Sequence, residues 1–296
     1  MRPLTKAFAI AGMLAMCVAP SAKASAIYWA NDGSNFSIGS ANLDGTGVNQ
    51  SFITGGHPIG VAVDGIHIYW ANGSIGRANL DGTDVNQSFI TGINGLDVAV
   101  DGTHIYWTDL ITNSIGRANL DGTDVNQSFI TGLGLPLGLA VDATYIYWTN
   151  AASGAIGRAN LDGTDVNESF ITGANGPEGV AVDGTYIYWT DVNTNSIGRA
   201  NLDGTGVSQS FISGTNGPNG VAVDGAYIYW TNNGNGSGNT IGRANLDGTD
   251  VNESFITGAS GPDFVAVSRV RARYGPARDR RSARVCGDSA QASVSA

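Results

Sequence analysis

Short apolar runs of three to six residues, separated by polar and glycine-rich stretches, recur along most of this chain. The pattern repeats about every forty residues, and each copy holds four such runs. In the fourth copy they are Leu139-Ala-Val141, Tyr145-Ile-Tyr-Trp148, Ile156-Gly-Arg-Ala-Asn-Leu161 and Ser169-Phe-Ile171. Runs of this length and composition favour β-strands over helices. A period of this size with four strands per copy is typical of a β-propeller blade.

A tryptophan marks the second run of every copy and so counts the copies. The six are Trp29, Trp70, Trp107, Trp148, Trp189 and Trp230, with spacings of 41, 37, 41, 41 and 41 residues. Asp-Gly follows the third run in every copy and the first run in most, and such pairs favour tight hairpin turns. The four runs therefore form an antiparallel meander. The second run is apolar on both faces, so each tryptophan is predicted to pack between neighbouring blades.

The first and last copies are incomplete in complementary ways. The repeat begins at a second run, Ile27-Tyr-Trp29, and finishes with a first run, Val265-Ala-Val267, that has no second run after it. Pairing these two runs would complete the first blade and close the ring. We therefore predict an all-β, six-bladed propeller of four-stranded antiparallel blades over residues 27–268, closed by a C-terminal strand.

The segment before the repeat has the layout of a secretory signal peptide. Residues 1–26 start with Arg2 and Lys6, continue with an apolar stretch and end in small residues. Cleavage is expected after Ala24 or Ala26. No other apolar segment is long enough to span a bilayer. The expected location is therefore outside the cytoplasm, either secreted, periplasmic or in the cell envelope.

Charge divides the chain into an acidic body and a basic tail. Residues 27–268 hold 23 Asp and Glu against five Arg and no Lys, a net charge of −18. Phosphate neutralisation needs a positive face, so nucleic acid is not an expected partner. Residues 269–296 include seven arginines and are expected to form a disordered tail, although they could also dock on the acidic body or on an anionic surface.

Neither of the two cysteines lies in the repeat. Cys17 falls in the expected signal peptide and Cys286 in the tail. The propeller therefore offers no thiolate metal site and no cysteine nucleophile.

The second and third runs resemble the class B, or YWTD, repeats of the low-density lipoprotein receptor and its relatives. Tyr106-Trp-Thr-Asp109 and Tyr188-Trp-Thr-Asp191 match the tetrapeptide, and five copies continue with Ile-Gly-Arg-Ala-Asn-Leu-Asp-Gly, whereas the first has Ser40 in place of the arginine. The resemblance covers residues 27–268 and implies a six-bladed propeller. The cysteine-rich modules that flank receptor propellers are not found in this sequence, so a receptor role is not carried over.

Alternate connections of a meander emerge on the same side of the ring. The turns after the first and third runs hardly change between copies, whereas the other two connections vary, from Ala71–Ser74 to Thr231–Thr240 and from Gly55–Pro58 to Gly132–Pro136. We call the varied side the variable face and the opposite side the constant face. Loops on a rigid scaffold often carry sites, so function is expected on the variable face. The alternative is drift in unconstrained loops.

One position on the variable face is expected to surround the mouth of the central channel. Two residues before each first run stand Ile59, Leu96, Leu137, Glu178, Asn219 and Asp263. Oxygen ligands that converge on a channel suit Ca²⁺ or a polar ligand, and gluconolactonase-type propellers hold a metal on a comparable set. Glu178, Asn219 and Asp263 are therefore the candidate ligand-binding residues and a weak calcium candidate, with His57 on the same face. A solvated rim is the alternative.

Other recurring polar residues are assigned to structure. The five third-run arginines, Arg77, Arg117, Arg158, Arg199 and Arg243, are expected to bridge neighbouring blades in pairs with carboxylates such as Asp64. The stretch Asp121–Asn126 fits a hairpin turn better than a calcium loop. No catalytic Ser/His/Asp signature, phosphate-binding loop or Cys/His metal motif is found.

These features favour a secreted, non-catalytic and monomeric binding module that recognises a protein or polysaccharide through its variable face and channel mouth. No cofactor is expected other than calcium at the weak candidate. Two alternatives stay open: a metal-assisted, lactonase-like hydrolase at the channel mouth, and a structural repeat protein of the cell envelope. Enzymatic activity is left open, with no catalytic residue assigned.

Overall fold

The computed structural model describes residues 26–234, 236 and 238–268. The expected signal peptide, apart from Ala26, and the basic tail lie outside these described residues. The described chain forms 24 strands in six four-stranded antiparallel sheets. The predicted all-β, six-bladed propeller is confirmed.

The blades follow one another along the chain. Blade 1 holds β1 (Ala26–Asn31), β2 (Ser37–Asn42) and β3 (Asn49–Thr54), and blade 2 holds β4 (Val61–Val63), β5 (His67–Ala71), β6 (Ile75–Asn79) and β7 (Asn86–Ile90). Blade 3 holds β8 (Gly95–Val100), β9 (His104–Asp109), β10 (Ser114–Asn119) and β11 (Asn126–Thr131). Blade 4 holds β12 (Pro136–Val141), β13 (Tyr145–Asn150), β14 (Ala155–Asn160) and β15 (Asn167–Thr172). Blade 5 holds β16 (Pro177–Val182), β17 (Tyr186–Asp191), β18 (Ser196–Asn201) and β19 (Ser208–Ser213). Blade 6 holds β20 (Pro218–Val223), β21 (Tyr227–Asn232), β22 (Thr240–Asn245) and β23 (Asn252–Thr257), and the chain then returns to blade 1 with β24 (Pro262–Ser268).

The ring closes through blade 1. β24 pairs antiparallel with β1, with Ala26 opposite Ser268 and Trp29 opposite Val265, so the sheet order is β24-β1-β2-β3. The last strand therefore supplies the innermost strand that the first copy lacks, as predicted. Backbone hydrogen bonds between the two ends of the described chain hold the ring shut.

Each pair of neighbouring blades shares one apolar cluster, and there are six clusters among the described residues. Between blades 3 and 4, Trp148 packs with Tyr106, Ile115 and Ile130 of the preceding blade. The other interfaces repeat this arrangement, and all six indoles are almost completely buried. Aromatic burial of this size dominates core energetics, so the core lies between the blades and not at the centre of the ring.

A glycine in the third strand makes room for each indole. Trp148 is paired with Gly157, and a Cβ added to Gly157 would lie 2.2 Å from the Trp148 Cε2 atom. The equivalent glycines of the other five blades face their own tryptophans at the same short distances, between 2.1 and 2.2 Å. The Ile-Gly-Arg pattern of the third run therefore reflects a steric requirement.

The innermost strands line a central channel. The Val-Ala-Val segments of five blades and Leu139-Ala-Val of blade 4 enclose a cavity of about 190 Å³. No helix able to cross a membrane occurs in the described part of the chain.

Replacing Gly157 by alanine tests the steric role of the third-strand glycine. We expect Gly157→Ala to lower the free energy of unfolding by about 2–3 kcal/mol, because the new methyl group must displace a closely packed indole. Chemical denaturation measures the change. Gly184→Ala is the matched control, since a Cβ at Gly184 meets nothing within 4 Å. Equal effects of the two substitutions would contradict the steric account.

Candidate functional site

The six predicted mouth residues lie where the innermost strands begin, at the variable-face end of the channel. Leu96, Leu137, Glu178, Asn219 and Asp263 belong to β8, β12, β16, β20 and β24, and Ile59 lies just before β4. Because adjacent blades contribute adjacent residues, the three apolar side chains form one arc over blades 2–4 and the three polar ones form another over blades 5, 6 and 1. We call these the apolar arc and the polar arc.

Threonines of the second strands hold the mouth residues in place. Thr149 Oγ1 donates a hydrogen bond to the Glu178 carbonyl of the next blade at 2.7 Å and accepts one from the Gly138 N–H of its own blade at 2.8 Å. The same bridge to the next blade recurs from Thr108 to Leu137, from Thr190 to Asn219 and from Thr231 to Asp263. Blades 1 and 2 carry Ala30 and Ala71 instead. A hydroxyl bridge therefore supports all of the polar arc and one residue of the apolar arc.

Amide groups contact the Asp263 carboxylate within the polar arc. Asn219 Nδ2 donates to Asp263 Oδ1 at 2.7 Å, and Asn233 Nδ2 donates to the same oxygen at 3.1 Å. Burial raises the pKa of Asp263 to about 7, and the negative charges of Asp32 and Glu178 add to this shift. Burial also raises the pKa of Glu178 to about 7. The arc therefore gains negative charge as the pH rises through neutrality.

A buried carboxylate next to the apolar arc was missed by the sequence analysis. Asp97 occupies a position where blades 2, 4, 5 and 6 have glycine, and its side chain is only 4% exposed. Its Oδ1 accepts from the Val98 N–H and its Oδ2 from the Leu139 N–H of the next blade, both at 2.8 Å. Burial raises the pKa of Asp97 to about 8, although these two hydrogen bonds favour the ionised form. In the sequence, the signal that could have identified Asp97 was the replacement of the glycine found at this position in four other blades.

His57 lies in the loop between β3 and β4, which belongs to the variable face. Its Nδ1 is 3.0 Å from Asp32 Oδ1, and its ring stacks on Phe36 with the centroids 4.1 Å apart. Asp32 is the residue whose charge also acts on Asp263. The histidine and this aspartate therefore border the polar arc.

Few side chains that could bind a metal ion come together in the described residues. No group of three or more His, Cys, Asp or Glu side chains there could hold a metal ion. The calcium candidate of Glu178, Asn219 and Asp263 offers two carboxylates, one of which already accepts the amide bonds. In the Asp121–Asn126 stretch, Asp121 Oδ1 accepts from the Thr123 N–H and hydroxyl, which are bonds internal to a hairpin turn.

The recurring arginines contact an aromatic ring and the next blade. Arg77 Cζ lies 3.9 Å from the Phe89 ring centroid, and its Nη1 donates to the Leu120 carbonyl of blade 3 at 3.3 Å. The other four arginines lie 3.7–4.0 Å from the equivalent phenylalanine rings. The expected ion pair between Arg77 and Asp64 is replaced by an indirect contact. Asp64 Oδ2 accepts a hydrogen bond from the Tyr69 hydroxyl at 2.9 Å, and Tyr69 lies between the carboxylate and the guanidinium.

Two copies of the repeat match a known family model, "Low-density lipoprotein receptor repeat class B", over residues 103–143 and 185–224. Each match spans the tetrapeptide strand and the Ile-Gly-Arg-Ala-Asn-Leu strand described above. These two segments are therefore similar to low-density lipoprotein receptor class B repeats. The sequence as a whole has no significant match among curated proteins.

Solved structures similar to this propeller include proteins of different activities. The propeller in a nidogen/laminin complex has a TM-score of 0.68 and 22% identity, over 82% of this chain and 97% of that one. A virginiamycin B lyase from Staphylococcus aureus has a TM-score of 0.50 and 20% identity, over 66% and 68% of the two chains. A gluconolactonase from Xanthomonas campestris has a TM-score of 0.52 and 17% identity, over 64% and 73%. At these identities the likeness extends to the fold alone.

Removing one hydroxyl bridge tests the support of the polar arc. We expect Thr149→Val to lower the free energy of unfolding by about 1–2 kcal/mol, because the buried Gly138 N–H loses its acceptor. Urea unfolding measures the change. Thr172→Val, at an exposed position at the end of β15, is the control and should change stability by less than about 0.5 kcal/mol. A similar loss in both variants would argue against the bridge.

The shifted carboxylates predict how the stability of the propeller varies with pH. We expect the free energy of unfolding to fall between about pH 5 and about pH 8, because folded Glu178 and Asp263 keep protons that the unfolded chain releases near about pH 4. Turn carboxylates such as Asp121, whose pKa is lowered by its hydrogen bonds with Thr123, act in the opposite direction but only below that range.

Urea unfolding at several pH values measures this slope. The double variant Glu178→Gln/Asp263→Asn should show a clearly shallower fall than the wild type, with Asp97 accounting for part of what remains. Identical slopes for the two proteins would contradict the assignment of the shifts to the polar arc.

Proposed function

We propose that this propeller is a secreted, non-catalytic module that binds a protein segment at the channel mouth of its variable face. The observation that carries the proposal is the division of the mouth into an apolar arc and a polar arc on an otherwise repetitive scaffold. The expected signal peptide supports a location outside the cytoplasm. The partner of the similar nidogen propeller in its solved complex, laminin, is also a protein.

Two exposed apolar residues lie in loops of the variable face, in blade 3 and at the entry to blade 4. Ile111, between β9 and β10, is 74% exposed, and Leu135, before β12, is 42% exposed. Leu135 also has a φ of 63°, a left-handed conformation that is uncommon for a bulky side chain. Together with Ile59, Leu96 and Leu137, these residues make the variable face apolar over blades 2–4, where a partner's aliphatic side chain would be buried.

The polar arc favours a cationic group on the same partner. Glu178 and Asp263 present carboxylates at the mouth, and Asp32 adds a third nearby negative charge. A lysine or arginine side chain would offset both the burial of the Asp263 carboxylate and its repulsion by Asp32 and Glu178, which together raise the pKa of Asp263. The complementary partner is therefore a segment that carries an aliphatic residue and a basic residue a short distance apart.

A protein ligand fits this face better than a polysaccharide. Sugar rings commonly stack on exposed aromatic side chains, but the tryptophans are buried. Among the large hydrophobic side chains that are exposed in the described residues, Phe36 is the aromatic one, and its ring already stacks on His57. The lactonase-like alternative rests on the near-neutral pKa of Glu178, which would suit a general base.

Selection from a random peptide display library tests the proposal with the full chain as bait. We expect the enriched peptides to combine an aliphatic residue with Lys or Arg. Binding should weaken at least tenfold in Asp263→Asn and in Leu137→Ser, and it should be tighter at pH 8 than at pH 6 because the polar arc is then more fully ionised.

Asp162→Asn, on the constant face, is the matched control and should bind these peptides like the wild type. Peptides that bind Asp263→Asn and Leu137→Ser as tightly as the wild type would overturn the proposal. A calcium-dependent rise in Tm that is lost in Glu178→Ala would instead support the lactonase-like alternative.

A further inference from the structure

At the boundary with the next blade, each blade has a space beside the phenylalanine of its outer strand, which we call the slot. Five of the six blades fill this slot with their own arginine, and blade 1 does not. In the five, the guanidinium lies between the phenylalanine of the outer strand and the next blade; in four of them a hydrogen bond to a leucine carbonyl of that blade is seen. In blade 1, Ser40 replaces the arginine. Ser268 also replaces the aspartate that follows the innermost strand, and Ala26 replaces the ring that begins the second strand. Blade 1 therefore lacks the arginine, the aspartate and the ring that the other five blades share.

The missing arginine leaves a pocket between blades 1 and 2. It has a volume of about 350 Å³ and is lined by Tyr28, Ser40, Phe52, Leu80 and Asp81, among others. Phe52 and Leu80 correspond to the ring and the carbonyl residue that hold Arg77 in the next blade. The pocket therefore contains the residues that surround a guanidinium in the other blades, but blade 1 has no arginine to occupy it.

The contacts of Tyr28 and Asp81 differ from those of the equivalent residues in slots that contain an arginine. Without an aspartate partner, the Tyr28 hydroxyl donates to the Leu80 carbonyl at 3.2 Å. Burial raises the pKa of Tyr28 to about 12, and the negative charge of Asp81 adds to the shift. The field of Asp81 therefore reaches the interior of the pocket, where it favours a cation.

The described chain ends next to this pocket. Ser268 is paired with Ala26, which lines the pocket, and the sequence continues as Arg269-Val-Arg271-Ala-Arg273. Ser40 lies two strands away from β24, a distance of about 10 Å at the usual strand spacing. Three extended residues cover about that distance, so the side chains of these arginines can reach the slot.

We propose that an arginine of segment 269–273 docks into the slot between blades 1 and 2 and replaces the arginine that blade 1 lacks. Its guanidinium stacks on Phe52 and faces Asp81, and the contact ties the end of β24 to blade 2. The segment itself lies outside the described residues. Because the slot is on the constant face, this inference is independent of the proposed partner on the variable face.

Ser40→Arg tests the proposal by filling the slot from within blade 1. We expect trypsin to cleave after Arg269, Arg271 or Arg273 several-fold faster in this variant than in the wild-type full chain, because the segment loses its binding site. Mass spectrometry of the fragments gives the rates. Ser40→Ala is the matched control and should be cleaved like the wild type. Equal rates in Ser40→Arg and Ser40→Ala would overturn the proposal.

Thermal unfolding gives a second readout in the full chain. Changing Arg269, Arg271 and Arg273 together to glutamine should lower the Tm of the wild type but not that of Ser40→Arg, since coupled residues are non-additive. The same change at Arg278, Arg280 and Arg281 should alter neither. An equal loss of Tm in both backgrounds, or none in the wild type, would overturn the proposal.

Discussion

The indole of each blade, lying flat over a glycine of the neighbouring strand, is the contact on which the rest of this propeller depends. With a side chain at Gly157, Trp148 could not lie against its own sheet and still reach Tyr106 of the preceding blade. The contact recurs at all six interfaces of the described ring. It sets the spacing of the blades without disulfides, because each interface buries the same aromatic pair. The residues of this contact therefore hardly vary between copies, whereas the loops do.

Because the copies are so similar, a residue that differs in one blade can be compared directly with its equivalents in the other blades. Alanine replaces the bridging threonine at Ala30 and Ala71, and the mouth residues that these blades would hold, Ile59 and Leu96, are apolar. Where the threonine is kept, the mouth is mostly polar. Precise placement matters most for groups that act through directional bonds and charge, so the hydroxyl bridges support the polar arc as the part of the mouth that confers specificity.

The architecture could be predicted from the sequence because it follows from counting: the tryptophan period, four runs per copy, and an unpaired run at each end. The mouth positions followed from the same alignment of copies. The same alignment shows Asp97 where four copies have glycine, but it does not show the role of this residue, which depends on a hydrogen bond from Leu139 of another blade. The partners of Arg77 were also mispredicted in part. Opposite charges in the same repeat suggest ion pairs, but the register places Tyr69 between Asp64 and the guanidinium.

The interface between blades 1 and 2 combines more of these departures than any other in the described ring. It lacks the threonine bridge because of Ala30 and the arginine contact because of Ser40, whereas the interface between blades 2 and 3 keeps Arg77. It also borders the composite blade, whose strands come from both ends of the repeat. Phe264 replaces a small residue there and joins the apolar cluster shared with blade 2, which compensates in part. A propeller closed by non-covalent pairing is most exposed to local opening at such a seam. An arginine supplied from beyond β24 would therefore act where the ring has the fewest other contacts to hold it.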